Sequence, residues 1–265
     1  MRRWATVRRV GPETLQRLPR VFGNAIPKAG SKLLFNVLRG FSEIGPFVDS
    51  GLAEIKPFRS GEPTPHAWIR DQLEALQPGD IRLGYLPWNA ETEGRLCRPG
   101  WAMYQIVRDP RDVIISQIFY ATSMHPGHAL HEYLLALPDM ETRIGTMIRG
   151  IPEGPHRRAD IRRQYDRYLP WLKQPEVCPV RFEPFVRDPQ AMLETMLAYL
   201  RHRGFPSAEA DSELASRLKR WMAPEKSETF RKGGVGGWRE HFTAANLREF
   251  DDVAGDLLQV LGYDA

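Results

Sequence analysis

Val21-Phe22-Gly23-Asn24-Ala25-Ile26-Pro27-Lys28-Ala29-Gly30-Ser31-Lys32-Leu33-Leu34 is the stretch whose reading decides the fold. Val21 to Ile26 is short, mostly apolar and stopped by Pro27, the pattern of a buried strand running into a loop. From Leu33 the apolar period changes. Leu33, Leu34, Val37, Leu38 and Phe41 recur at helical spacing, with Gly40 and Gly45 toward the end. The start of such a helix presents N–H groups without intrahelical partners and the positive end of its dipole. Pro27 to Leu33 adds two lysines, a hydroxyl and small residues that let the backbone approach a ligand. A phosphate or sulfate needs those features, and a plain strand-to-helix turn with solvated lysines shares them. No G-x-x-x-x-G-K-[ST] can be read across residues 23–33, so the loop is not a Walker A motif.

Outward from this segment, Ile81 to Leu86 predicts a second strand, stopped by Pro87, and Met103 to Val107 a third. Val177 to Phe182 predicts a fourth, interrupted only by Pro179. Asp109-Pro110 opens a helix after the third strand, with Asp109 as cap and proline at a position whose amide would lack a partner anyway. Residues 42–79 are rich in Gly and Pro and read as irregular, apart from a short helix around Trp68 to Leu76. Further helices are expected over 130–149, 156–173, 189–203, 208–222 and 244–262. Strands separated by helical stretches predict an α/β single domain, a central mainly parallel sheet flanked by helices on both faces. Ligands of such sheets sit at the carboxyl ends of the strands.

The chain has 265 residues, enough for one large domain or two small ones, with 42% hydrophobic and 26% charged residues. That composition excludes collagen, disulfide scaffolds and disordered chains. No apolar run approaches the ~18 residues of a membrane span, and no apolar segment follows Met1-Arg2-Arg3 as a secretory signal would require. Cys97 and Cys178 make no metal or disulfide framework, so a reducing cytoplasm is the expected location. The net charge of +4 suits an anionic ligand and falls short of a dedicated nucleic-acid binder. Six arginines crowd residues 1–20, which are expected as a basic N-terminal extension ahead of a domain over 21–265. A second basic cluster includes His156, Arg157, Arg158, Arg162, Arg163 and Arg167; both clusters also read as solvated faces.

Two more motifs carry chemistry. In Val107-Arg108-Asp109-Pro110-Arg111-Asp112-Val113, Arg108 stands at a strand end, and Ser116 lies two turns into the helix on the face of Asp109. An arginine fork and a hydroxyl so placed can grip a phosphate, or pair with a carboxylate and with water. Phe230-Arg231-Lys232-Gly233-Gly234-Val235-Gly236-Gly237-Trp238 continues as Arg239-Glu240-His241-Phe242-Thr243, a glycine-rich, basic stretch able to fold over an anion.

In this order and spacing, the three motifs resemble those of the sulfotransferases that use 3′-phosphoadenosine-5′-phosphosulfate (PAPS). Pro27 to Ser31 is similar to the family's P-K-S-G-T loop, Arg108 and Ser116 to its Arg and Ser eight residues apart. Arg231 to Thr243 reproduces R-K-G-x-x-G-x-W-x-x-x-F-T in full, and Arg181-Phe182-Glu183 resembles the family's R-[YF]-E element. The resemblance implies an α/β domain related to the P-loop nucleotide kinases. It implies sulfuryl transfer from PAPS to an acceptor hydroxyl or amine, release of 3′,5′-ADP (PAP), and no metal. It assigns the 5′-phosphosulfate to Lys28, Ala29, Gly30, Ser31, Lys32 and Leu33, with Lys28 at the bridging oxygen. It assigns the 3′-phosphate to Arg108, Ser116, Arg231, Lys232 and Gly233, with Phe182 and Phe230 beside the nucleotide.

The family's T-H-L-P or G-H-L-P stretch reads Gly84-Tyr85-Leu86-Pro87 here, so Tyr85 stands at the proton acceptor's position. A phenol titrates near 10 and is a poor base at neutral pH unless its surroundings change that. Tyr85 as activated base, Tyr85 as orienting group, and His66, His125, His128 or His131 as base are the alternatives, along with a protein that only binds nucleotide. Leu33 replaces the aromatic residue that ends the first motif in many members. The acceptor, a small molecule or carbohydrate, is expected against residues 42–79 and 117–160, where Trp68, Trp88, Phe119, Tyr120 and Tyr133 line a pocket or fill a core. Competing readings are a magnesium-dependent phosphoryl-transfer enzyme and, more remotely, a nucleic-acid binder. No nucleic-acid partner and no transmembrane segment are expected, and the sequence says nothing of oligomeric state.

Overall fold

The computed structural model describes residues 2–49, 51–59, 62–222 and 234–263. In chain order its elements are α1 (Arg2–Val10), α2 (Pro12–Gln16), β1 (Arg20–Ala25), α3 (Ser31–Ile44), β2 (Val48–Asp49), β3 (Phe58–Arg59) and β4 (Glu62–Pro63). There follow α4 (His66–Glu74), β5 (Asp80–Gly84), α5 (Ala90–Leu96), β6 (Trp101–Val107), α6 (Pro110–Phe119), α7 (His131–Leu135), α8 (Met140–Arg149) and α9 (Ile161–Asp166). The last are β7 (Val177–Arg181), α10 (Phe182–Arg187), α11 (Pro189–His202), α12 (Asp211–Leu218), α13 (Ala244–Ala254) and α14 (Leu257–Leu261). These belong to two compact units, residues 1–107 with 168–227, and residues 108–167 with 228–265.

The first unit is the expected α/β assembly. Its five-stranded sheet runs in the order β2-β5-β1-β6-β7, and every neighbouring pair is parallel. Parallel strands covered on both faces carry continuous apolar runs, and β6 is buried along its whole length. β1 lies in the middle, its Val21 opposite Ile81 on one side and Ala102 on the other. Pro179 has no N–H to give a ladder, and it sits exposed on β7, an edge strand where that lack costs little. The α3 face made by Leu34, Phe35, Val37, Leu38 and Phe41 is wholly buried.

The structure differs from the sequence reading at several boundaries. β5 stops at Gly84: on one edge the chain bridges to Ile55 through the Tyr85 N–H (2.9 Å), and on the β1 edge Leu86 meets the Asn24 side chain in place of the main chain. Val48–Asp49, within the stretch read as irregular, adds a short strand to the sheet. α5, capped by Asn89 through Thr92 N, had no apolar period to announce it. The basic N-terminus is helical: Leu15 and Leu18 are buried, and Arg3 bonds to Asp80 and to the carbonyl of Pro78.

In the second unit the expected helix over 130–149 is two, because Pro138 breaks it and Asp139 caps α8 through Thr142 N. The helix expected from 156 begins only at α9. Residues 151 and 158 exchange backbone hydrogen bonds in a small bridge, and Asp160 then caps α9. The last helix is interrupted at Gly255, which closes α13 with φ 54. Among the described residues, no helix is long and apolar enough to cross a membrane.

Candidate active site

In the first unit, β1 delivers the chain into a tight turn closed by the Ala29 N–H on Ile26 O (3.0 Å). Lys28 has φ 69, alone among the described non-glycine residues in the left-handed region, where a Cβ crowds the backbone. Gly30 follows with φ 98 and serves as N-cap of α3 without any side-chain cap. A Cβ on Gly30 would lie 2.4 Å from a ring carbon of Phe182, so only glycine fits. The loop thus turns on strain at Lys28 and close packing at Gly30, and it leaves the first N–H groups of a 14-residue helix uncapped by a side chain. Lys28 is half-buried, Ala29 fully buried, Ser31 and Leu33 half-buried, and Lys32 exposed.

Tyr85 reaches this loop. Its hydroxyl is 3.0 Å from Ser31 Oγ, and its ring meets Phe35 edge-on at 5.6 Å. The Tyr85 carbonyl accepts from the Tyr168 hydroxyl at 3.2 Å. The structure therefore brings together Lys28, Ala29, Gly30, Ser31, Lys32, Leu33, Tyr85 and Phe182. His66, one of the alternative bases, lies exposed at the start of α4.

In the second unit, Asp109 caps α6 through Arg111 N (2.9 Å) and also binds the Arg111 guanidinium, Nη2 to Oδ2 at 2.9 Å. That guanidinium stacks 3.9 Å from the centre of the Trp238 ring. The buried Asp112 carboxylate accepts the N–H of Gly236 at 2.8 Å and of Trp238 at 2.9 Å. Arg108 Nη2 donates to Gly234 O at 2.9 Å and lies 3.6 Å from Asp112 Oδ2. Its own carbonyl accepts from the Tyr165 hydroxyl at 2.8 Å. Ser116 is half-buried on the same helix. The start of α6 and the end of the glycine-rich motif are therefore one hydrogen-bonded group. Phe230, Arg231, Lys232 and Gly233 lie outside the described residues.

His125 and His128 flank Tyr120, with ring centres 5.4 and 5.7 Å from it, while His131 Nδ1 is 2.7 Å from Ala121 O. These imidazoles are engaged around the turn after α6.

Residues 96–262, well over half of the chain, match the sulfotransferase domain. The chain belongs to the sulfotransferase family. No curated sequence matches this sulfotransferase significantly. Solved structures share its fold at low identity. Mouse sulfotransferase SULT7A1 complexed with PAP aligns with TM-score 0.62 and 17% identity over 95% of this chain and 92% of that one. Retinol dehydratase with androsterone and inactive cofactor PAP gives 0.61 and 15%, over 95% and 84%. Its complex with retinol and PAP gives 0.61 and 14%, over 95% and 85%.

Asp112 is one residue of this sulfotransferase that sequence reasoning missed. Its signal was an acid on a helix that is otherwise apolar through Val113, Ile114 and Ile115, one turn after Arg108. Asn24 was missed as well, its signal being a lone amide in the otherwise apolar run of Val21 to Ile26, where it is fully buried.

Proposed function

We propose that this sulfotransferase moves the sulfuryl group of PAPS to a hydroxyl, or less readily an amine, of a small-molecule or carbohydrate acceptor and releases PAP, without a metal ion. The observation that carries the reading is the strained Lys28–Gly30 turn on the uncapped N-terminus of α3, with Tyr85 joined to it through Ser31. Strain held in a turn of basic and small residues marks a site more often than a scaffold. PAP also occupies solved proteins of this fold.

PAPS supplies an activated sulfuryl group on a phosphate leaving group. The N–H groups of residues 30–33, with Ser31 and Lys32, hold its 5′-phosphate, because an uncapped helix start favours negative charge. Lys28 opposes the charge that grows on the leaving phosphate as the sulfur–oxygen bond breaks. Arg108 and Ser116, with Arg231, Lys232 and Gly233, take the 3′-phosphate, and Phe182 and Phe230 with Leu33 pack beside the nucleotide. Tyr85 holds the acceptor hydroxyl, or takes its proton while giving its own through Ser31 to the departing 5′-phosphate. The catalytic domain spans residues 21–265 behind a basic extension, and it works in the cytoplasm.

Calorimetric titration with PAP, 5′-ADP and ATP, with and without magnesium, tests the reading. Preference for PAP without metal is expected, followed by transfer from PAPS in a screen of hydroxyl acceptors. Tighter ATP binding that needs magnesium would instead put a phosphoryl-transfer enzyme first. Tyr85 in place of the family's histidine also favours a second reading, a PAP-binding protein without turnover. PAP affinity combined with no transfer in any acceptor screen would select it.

A further inference from the structure

We propose that Asn24 is a positioning residue for Tyr85, holding the phenol at the anion loop by taking over the pairing that β5 gives up. The inference rests on the placement of Tyr85 in the transfer site. Asn24 lies on β1 opposite Gly84, the last residue of β5, and is fully buried. Beyond Gly84 the main-chain ladder with β1 ends; the Tyr85 N–H lies on the other edge of the chain, where it bonds to Ile55 O, and Leu86 is the residue that next faces β1. The Asn24 side chain continues the pairing. Its Oδ1 accepts the Leu86 N–H at 2.7 Å, and its Nδ2 donates to the Leu86 carbonyl at 2.9 Å. A carboxamide has a peptide group's donor and acceptor, so it can clamp both polar groups of one residue.

The second Nδ2 hydrogen goes to Gln105 Oε1 at 2.7 Å, and Gln105, also fully buried, donates to Ile106 O at 3.0 Å. Trp171 Nε1 adds a further bond to the Leu86 carbonyl at 3.0 Å. A buried amide that met none of these groups would destabilise the sheet, and an apolar residue would suit β1 as well as its neighbours Phe22 and Ala25 do. The network has a consequence at the site. Tyr85 is held at its own N–H by Ile55, at its own carbonyl by Tyr168, and at the next residue by Asn24. Little freedom remains except in its side chain, which ends on Ser31. Lys28 lies four residues after Asn24 on the same strand exit, so one strand sets both the cation and the phenol.

The test replaces Tyr85 with 3-fluorotyrosine and follows its fluorine resonance in the full chain and in Asn24→Leu, an apolar residue of similar shape. Asn24→Thr serves if the leucine variant does not fold. The resonance should shift or broaden in the variant, while calorimetric PAP affinity changes less than ~2-fold. With 2-naphthol as probe acceptor for PAPS, kcat should fall ~10-fold or more, as for a misplaced reacting group. That loss should vanish in a Tyr85→Phe background, because coupled residues do not add. An unmoved resonance with only a lowered melting temperature overturns the inference, as does an undiminished Asn24→Leu effect in Tyr85→Phe. Failure of the unaltered chain to bind PAP would count against the nucleotide reading instead, since the fluorine signal does not depend on it.

Discussion

Lys28 joins two demands that pull apart. Its φ of 69 places a Cβ where only glycine is comfortable, and its ammonium is the cation we propose for the leaving phosphate. Removing the side chain in two ways separates them. Lys28→Ala and Lys28→Gly should both lose ~10²–10³ in kcat, as deletion of a group that stabilises developing charge does, with PAP affinity less affected. The glycine variant should be the more stable of the two by ~1 kcal/mol in urea unfolding, because alanine keeps the left-handed Cβ. Equal stability would mean that the turn carries no strain. Equal losses in turnover and PAP affinity would remove Lys28 from its leaving-group role.

α6 owes its position to charges on its first turn. Asp109 caps it, and Asp112 binds the amides of Gly236 and Trp238, so this helix end anchors the glycine-rich motif rather than facing solvent. Asp112→Ala leaves two amides without their acceptor and removes the carboxylate near Arg108. A loss of about 3 kcal/mol in chemical denaturation is expected, with weaker PAP binding. Asp112→Asn keeps an oxygen for one amide and should cost less. A destabilisation below ~0.5 kcal/mol for the alanine variant would show that the anchor is dispensable.

Across the whole molecule, burial holds several weak acids above their ordinary range. The free thiols of Cys97 and Cys178 are pushed up to about 11 and about 12, and the Tyr104 and Tyr199 phenols are raised too. Each group keeps its proton in the fold and loses it on unfolding once the pH passes its ordinary value of 9.0 or 10.0. The unfolded chain then binds fewer protons than the folded one, so stability falls as pH rises. The urea midpoint should drop steadily between pH 8 and 10. Arg158, lowered to about 10 by burial, works in the opposite sense only above that window. A midpoint constant from pH 8 to 10 would contradict these burials. In Cys178→Ala the decline should be shallower.

Local pattern was enough for four strands of the parallel sheet, the loop between β1 and α3 and the Asp109 cap. Each depends on residues close in sequence, where the period of apolar residues and the chemistry of caps and turns act directly. The strand exits and the breaks in the long helical stretches were less legible. β5 ends at Gly84, where the Asn24 side chain, distant in sequence, meets Leu86 in place of the β1 main chain. The tertiary structure alone decided how the candidate residues are held, Tyr85 on Ser31 and Asn24 on Leu86 in the first unit, and Asp112 on the amides of Gly236 and Trp238 in the second. A buried polar side chain must find its hydrogen-bond partners wherever folding brings them, and these partners lie 54 to 126 residues away.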